Sequence, residues 1–365
     1  MEIPLVDLAW QHRAIADEVK VGLERVIESG AFILGPDVQA FEEEFAAASG
    51  VRHCIGVGNG TDALELACRA LEIGHGDEVV VPANSFIASA LAVVRAGAMP
   101  VLVDSDPVTH LLDTASALDR VGPKTRAIMP VNLFGQLAPC EALAEAPVPL
   151  LEDAAQSQGA RRKGLRSGSL GALAGTSFYP GKNLGAYGDA GAVVTDDPQL
   201  AERVRRLRQH GSEQKYDHPE QGFNSRLDTL QAVVLRAKLR RLDAWNQDRR
   251  VAAGRYDELL AGLPGVVLPQ TLEGNEHVWH LYTVRVPERD RVLAALNASG
   301  IGAGIHYPRP IHLQGAFQHL GHSRGDFPVA ERAADELLSL PIYPGIRPDQ
   351  QERVASVLAA SLERV

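Results

Sequence analysis

The first two-thirds of the chain alternates short apolar runs with segments of helical spacing. Seven runs predict strands: His53–Val57, Glu78–Val81, Pro100–Asp104, Ala127–Val131, Val148–Glu152, Thr176–Phe178 and Ala192–Thr195. Several are rich in Val and Ile and continuous rather than alternating, the pattern of strands buried on both faces of a mainly parallel sheet. Between them Asp62–Glu72, Ser85–Gly97, Thr114–Val121 and Pro139–Ala144 predict helices. Gly35-Pro36-Asp37 followed by Val38, Phe41 and Phe45 predicts a helix start with one buried face.

From about Pro198 the spacing turns helical. Leu227, Leu230, Val234, Leu235 and Leu242 predict one long amphipathic helix from Leu227 to Trp245. A helix near Val251–Leu260, a strand His280–Val286, a helix Asp290–Ser299, a Pro-rich segment and a closing helix Pro348–Glu363 follow. The expected fold class is α/β. A large domain over residues 1–244 carries a mainly parallel seven-stranded sheet, and residues 245–365 form a smaller C-terminal α/β domain.

At 45% hydrophobic and 22% charged, the 365 residues suit a soluble globular protein with a sizeable core. Basic residues number 36 and acidic 46, a net charge of −10, which excludes a general nucleic-acid binder but leaves room for one local anion pocket. The apolar, uncharged stretch Val79–Val94 is broken by Pro82, Asn84, Ser85 and Ser89, too short and polar to span a bilayer. The opening MEIPLVDLAW lacks the basic start and apolar block of a secretory signal. Cys54, Cys68 and Cys140 show neither CxxC pairing nor metal-ligand spacing, as three neutral thiols in a reducing cytoplasm would. A cytoplasmic protein with no membrane partner and no metal is expected.

Six of the 36 basic residues are lysines. Lys20 and Lys238 fall on polar faces of helical patterns, and Lys124, Lys163 and Lys215 lie in charged turns or loops. Lys182 differs: Ser177-Phe178-Tyr179-Pro180-Gly181-Lys182-Asn183-Leu184-Gly185 contains no other charge. A lysine must lose its proton to act as a nucleophile, and a neutral, desolvated setting lowers its pKa. The alternative is a loop lysine among glycines. In Leu150-Leu151-Glu152-Asp153-Ala154-Ala155-Gln156 a strand delivers an acid pair to its C-terminal end, where open α/β sheets bind ligands. Such an acid can pair with a cationic ring nitrogen, or can cap a helix. Gly56-Val57-Gly58-Asn59-Gly60-Thr61-Asp62 is a strand, a Gly-rich turn and a helix start, able to hold a phosphate but equally a structural turn. Phe86 ends another strand and can stack on a flat cofactor or simply fill the core. A lysine for an aldehyde, an acid for a ring nitrogen and donors for a phosphate are together what pyridoxal phosphate needs.

These residues carry a family resemblance. Gly35-Pro36 with Phe41-Glu42, Asn59-Gly60-Thr61-Asp62-Ala63-Leu64, Glu152-Asp153-Ala154-Ala155-Gln156, Phe178 to Gly185, Asn224-Ser225-Arg226-Leu227-Asp228 and His306-Tyr307-Pro308 resemble the DegT/StrS nucleotide-sugar aminotransferases. Those belong to the fold-type-I pyridoxal-phosphate transferases, and the likeness covers nearly the whole chain. The resemblance implies that Lys182 holds the cofactor as an imine and then shuttles the reaction's proton. Related dehydratases carry histidine there, so Lys182 favours amino transfer. Asp153 would pair with the pyridine nitrogen, Gln156 would support the ring or its phenolic oxygen, and Phe86 would stack on it. Gly60, Thr61 and Ser177 would hold the phosphate. Asn224 would reach it from a partner subunit, implying a homodimer with shared active sites. L-glutamate is the implied donor and a nucleotide-linked keto sugar the acceptor. The segments Lys182–Asp189, Gly211–Tyr216 and Gly222–Arg226 look most like members that aminate C3 of dTDP-3-keto-6-deoxyhexoses in antibiotic and surface-glycan pathways. C4 amination and a UDP-sugar substrate are the alternatives within the family, and a cofactor-bound regulator without turnover is the alternative outside it. Tyr187, Tyr216, His306, Tyr307 and His312 are candidate sugar or nucleotide contacts, each equally able to be packing.

Overall fold

The computed structural model describes residues 2–363. The main strands of the larger lobe are β1 (His53–Val57), β2 (Glu78–Pro82), β3 (Met99–Val103), β4 (Thr125–Ile128), β5 (Leu151–Asp153), β6 (Leu173–Ser177) and β7 (Gly191–Thr195), beside a short hairpin at Arg161–Arg162 and Leu165–Arg166. The main strands do not form one uninterrupted ladder. One sheet runs β1-β7-β6-β5 and another β3-β2-β4, and the isolated parallel bridges Ile128–Leu150 and Val131–Asp153 join them. Their pairing is parallel except at β7, which runs antiparallel to both β1 and β6. The continuous apolar runs are explained by burial on both faces: Val79, Val80 and Val81 of β2 and Ala192 and Val193 of β7 are all fully enclosed.

Local chemistry sets several boundaries that spacing misses. The helix expected from Asp62 starts at Gly60, because the Asn59 side chain accepts from Asp62 N at 2.8 Å and caps it. The helix expected from Ser85 starts at Ala88, leaving Ser85 and Phe86 ahead of it. Pro139–Ala144 yields only a 3₁₀ turn, Cys140–Leu143. The long helix expected over Leu227–Trp245 breaks in two, Thr229–Leu239 and Leu242–Leu260. Between them the Arg241 guanidinium folds back to the Ala237 carbonyl at 2.8 Å and to Glu18 at 3.0 Å.

The smaller lobe holds β8 (Tyr282–Arg285) paired antiparallel with β9 (Leu337–Leu340). The helices Arg289–Ala298 and Pro348–Leu362 pack on it. β9 and the helix Pro328–Glu336 lie in the segment read only as Pro-rich. The helix Leu242–Leu260 runs straight through the expected boundary at residue 244. Its Leu242 packs in the large-lobe core, whereas Ala252, Ala253, Tyr256 and Leu260 pack in the small-lobe core. The N-terminal segment also joins the small lobe. Ile3 is buried there, donates to the Gly300 carbonyl at 2.9 Å, and accepts from Gly302 N at 2.7 Å.

Lys238 corrects the polar-face expectation. It is 2% exposed, its Nζ donates to Gln11 Oε1 at 3.2 Å, and it lies 5.3 Å from the Tyr187 ring centre. Burial with no carboxylate partner lowers its pKa from 10.5 to about 8. With the folded pKa below the unfolded one, the unfolded chain binds the extra proton between these values, so stability rises with pH across that window, by roughly 3 kcal/mol at most. Lys238→Met is therefore expected to be the more stable protein at neutral pH, with the gap narrowing above pH ~8. Urea melts of both proteins across that range check it, and a pH-independent gap would refute it.

Cys54, Cys68 and Cys140 are buried and unpaired, and burial pushes their thiols up, Cys68 to about 12. Among the described residues no helix is long and apolar enough to cross a membrane, and no cluster of His, Cys, Asp and Glu could hold a metal ion.

Candidate active site

The C-terminal ends of β1, β2, β5 and β6 open onto a cavity of about 650 Å³ between the lobes. The N-terminal segment adds Leu5 and Val6 to its wall, and the small lobe adds His280, His306 and Tyr307. Lys182 is the lysine among the lining residues, and Asp153 and Asp189 are the acids. A neighbouring cavity of about 510 Å³, across the segment from His277 to Leu281, is lined by no lysine and no carboxylate.

Strand alternation divides the acid pair of β5. Glu152 turns into the protein and is fully buried. Its Oε1 accepts from Leu170 N at 2.6 Å and Gly171 N at 3.0 Å, and its Oε2 from Asn132 Nδ2 at 3.0 Å and Gly168 N at 3.1 Å. It fastens a loop. Asp153 faces the cavity, 5% exposed, with Oδ2 accepting from Ser89 Oγ at 2.6 Å and Oδ1 from Ala155 N at 3.2 Å. No helix follows it, so the helix-cap alternative does not apply. Ser89 is itself held by Ser85 at 2.7 Å. Burial raises the Asp153 pKa, opposed by the Ser89 hydrogen bond, by Ala155 N and by Lys182. A buried carboxylate with two donors and no ion pair is an acceptor waiting for a cationic N–H.

Lys182 sits on the turn after β6. Burial lowers its amine from 10.5 to about 8, with Asp153 pulling the other way. At that value the amine is present in both protonation states near neutral pH, as a group that both takes and gives a proton must be. The turn between β1 and the helix Gly60–Ala70 brings Gly60 and Thr61 to the cavity beside Ser177. A Cβ on Gly60 would stand 2.5 Å from Ser177 Cβ, so only glycine lets the helix start approach β6 this closely. The opening N–H groups of that helix have no intrahelical acceptors and form an anion cradle. Phe86 is 51% exposed at the rim, its ring centre 5.5 Å from that of Tyr307. Gln156 Oε1 accepts from Phe134 N at 2.7 Å, which fixes the amide so that Nε2 donates to Tyr307 Oη at 2.9 Å. The second Nε2 hydrogen stays free for a ligand. A lysine, a buried acid, an anion cradle and an aromatic rim fit pyridoxal phosphate in kind and number.

Eight of the expected residues thus meet at the cavity wall with Phe86: Gly60, Thr61, Asp153, Gln156, Ser177, Lys182, His306 and Tyr307. The other four do not line it. Asn224 is exposed, in an isolated bridge with Gln209. Tyr187 bonds His12 Nδ1 through its hydroxyl at 2.6 Å, and Tyr216 is 85% exposed. His312 is 1% exposed, its Nε2 engaged by Glu331 at 3.0 Å beneath Phe327, so packing accounts for it. Ser89 and His280 escape the sequence reading. The interruption of the Val79–Val94 run by Ser89 was a usable signal, since a polar side chain inside a buried apolar run needs a partner. His280 reads there only as the start of a strand.

The chain matches the DegT/DnrJ/EryC1/StrS aminotransferase family over residues 13–359. It belongs to that family. The dTDP-3-amino-3,4,6-trideoxy-alpha-D-glucose transaminase of Streptomyces venezuelae is 46% identical over 367 residues, covering 100% of this chain and 97% of its own. The erythromycin biosynthesis sensory transduction protein EryC1 of Saccharopolyspora erythraea is 47% identical over 364 residues, 99% of this chain and 100% of its own. The crystal structure of S. venezuelae DesV in complex with a ketimine intermediate superposes with a TM-score of 0.97 at 46% identity, covering 100% of this chain and 99% of that one. The chain is an aminotransferase, and its α/β architecture is the fold-type-I one that the resemblance implied.

Proposed function

We propose that this aminotransferase uses pyridoxal 5'-phosphate to move the amino group of L-glutamate onto the C3 keto group of a dTDP-3-keto-6-deoxyhexose. The observation that carries the reading is the pairing of a lysine shifted to about 8 with a buried acid that lacks a cation, in one cavity. The 46% identity to a protein named for a 3-amino dTDP-sugar supports the substrate. When bound, the cofactor supplies an electron sink that makes the proton on the amino-bearing carbon removable. The chain does the rest. Lys182 would hold the cofactor through its amine, and its Nζ, shifted to about 8, would take and give a proton in each half-reaction. Asp153, steadied by Ser89, would keep the ring nitrogen protonated. Gly60, Thr61 and Ser177 would grip the phosphate, Gln156 and Phe86 would hold the ring, and His306 and Tyr307 would face the sugar. Two copies form a cytoplasmic homodimer in which Asn224 of one reaches the cofactor phosphate of the other.

EryC1 carries a sensory name, which keeps a regulatory reading in view. Lys182 and Asp153 standing together in the cavity favour turnover. The test offers the holoenzyme and L-glutamate either dTDP-3-keto- or dTDP-4-keto-6-deoxyglucose, with products read by mass spectrometry. Amino sugar from the 3-keto compound alone is the expected result. Product from the 4-keto compound alone moves the chemistry to C4, and a cofactor spectrum untouched by glutamate revives the regulator.

A further inference from the structure

A chain of hydrogen bonds under the cavity fixes the proton on a histidine that no step above employs. Asn246 Nδ2 donates to the backbone carbonyl of Gln158 at 2.9 Å, so its Oδ1 accepts, and it accepts from Asn183 Nδ2 at 2.8 Å. Asn183 Nδ2 also donates to the backbone carbonyl of Val278 at 3.0 Å. Its two amide hydrogens are then spent and its Oδ1 can only accept. The partner of that oxygen is His280 Nδ1, at 3.2 Å. His280 therefore carries its proton on Nδ1 and keeps a lone pair on Nε2. No described residue bonds Nε2, and the atom is not sealed off. His280 is 8% exposed and lines the cavity with Lys182. Burial, with the nearby Lys182, Arg249, His306 and His277, holds its pKa well below the ordinary histidine value, so the ring stays neutral.

A neutral lone pair in a largely buried wall favours a hydrogen-bond donor and disfavours carboxylate or phosphate oxygens, which have no proton to give. Glutamate's carboxylates and the diphosphate are thereby excluded as its partners. Tyr307 supplies the complement: its oxygen accepts from Gln156, leaving its own O–H to donate. A hydroxyl is the group that both gives to an acceptor and takes from a donor. We infer that His280 accepts a hydrogen bond from a hydroxyl of the sugar substrate and helps set which sugars the second half-reaction takes. The inference rests on the sugar-aminotransferase reading above.

Single-turnover experiments on the holoenzyme separate the two. Cofactor absorbance follows the glutamate half-reaction, and separately the reverse half-reaction with dTDP-3-amino-3,6-dideoxyglucose. His280→Phe is expected to weaken apparent affinity for the amino sugar about tenfold to a hundredfold, leaving the glutamate half-reaction within about twofold. His280→Gln, which keeps an amide acceptor, is expected to recover most of the loss. Nitrogen-15 spectra of histidine-labelled wild type should show a ring protonated on Nδ1 and bare on Nε2. Equal losses in both half-reactions, no loss in either, or a proton on Nε2 would each overturn the inference. A wild type that reacts with glutamate but not with the amino sugar sinks the substrate reading first, and this inference with it.

Discussion

Lys182→Ala is expected to lower amino transfer from L-glutamate to the keto sugar by at least about a thousandfold, within the range of a lost general acid–base group compounded by a lost covalent anchor. Borohydride should then fix no cofactor to the chain. No other lining residue offers a primary amine: Lys238 is sealed against Gln11 and Tyr187, away from the cavity wall. Lys182→Arg keeps the charge and is expected to fail as fully, because a guanidinium neither gives up its proton near neutral pH nor forms the link. A small amine added to Lys182→Ala should restore part of the proton transfer without restoring the borohydride adduct. Full turnover by Lys182→Ala would end the mechanism.

Asp153→Asn should keep part of the cofactor and lose at least about a hundredfold in kcat. Asparagine matches the carboxylate in shape: its Oδ1 can still accept from Ala155 N, and Ser89 Oγ can turn to accept from its Nδ2, so the main change is the lost charge. A ring nitrogen facing a neutral amide loses its proton and with it most of its capacity to accept electrons. The absorbance of bound cofactor against pH reads that proton directly, apart from turnover. Wild-type kcat in Asp153→Asn would leave Asp153 with only a structural part, as acceptor for Ala155 N and Ser89 Oγ.

The sequence is most legible where one residue type has few uses. Lys182 stands out through the neutrality of its neighbours, and the burial that this neutrality permits is what lowers its amine to about 8. The β5 acids are visible as a pair, but their division needs the pleat: one residue of offset sends Glu152 inward to four donors and Asp153 outward to the cavity. The strands of the large lobe read well because burial on both faces leaves a continuous apolar record. The break at Arg240–Arg241 does not, because apolar spacing continues across it and the arginine found there is held by Glu18, far away in the chain. The burial of Lys238 and of His312 is hidden for one reason: a polar side chain's burial depends on its partner, and Gln11 and Glu331 are not neighbours in sequence. His280 is the reverse case, since its role depends on proton positions set by Asn183 and Asn246, which no spacing encodes.

The N-terminal strap ties substrate access to lobe geometry. Ile3 is stitched by backbone hydrogen bonds into the small lobe, and two residues later Leu5 and Val6 form part of the cavity wall. Leu5 is stitched there too, its carbonyl accepting from Ile342 N at 3.3 Å. This part of the wall is therefore fastened to the small lobe, like a shutter hung on the door beside it. A rotation that separated the lobes would carry Leu5 and Val6 away from the large-lobe part of the cavity wall in the same stroke, widening the way in for a bulky sugar nucleotide without a loop of its own.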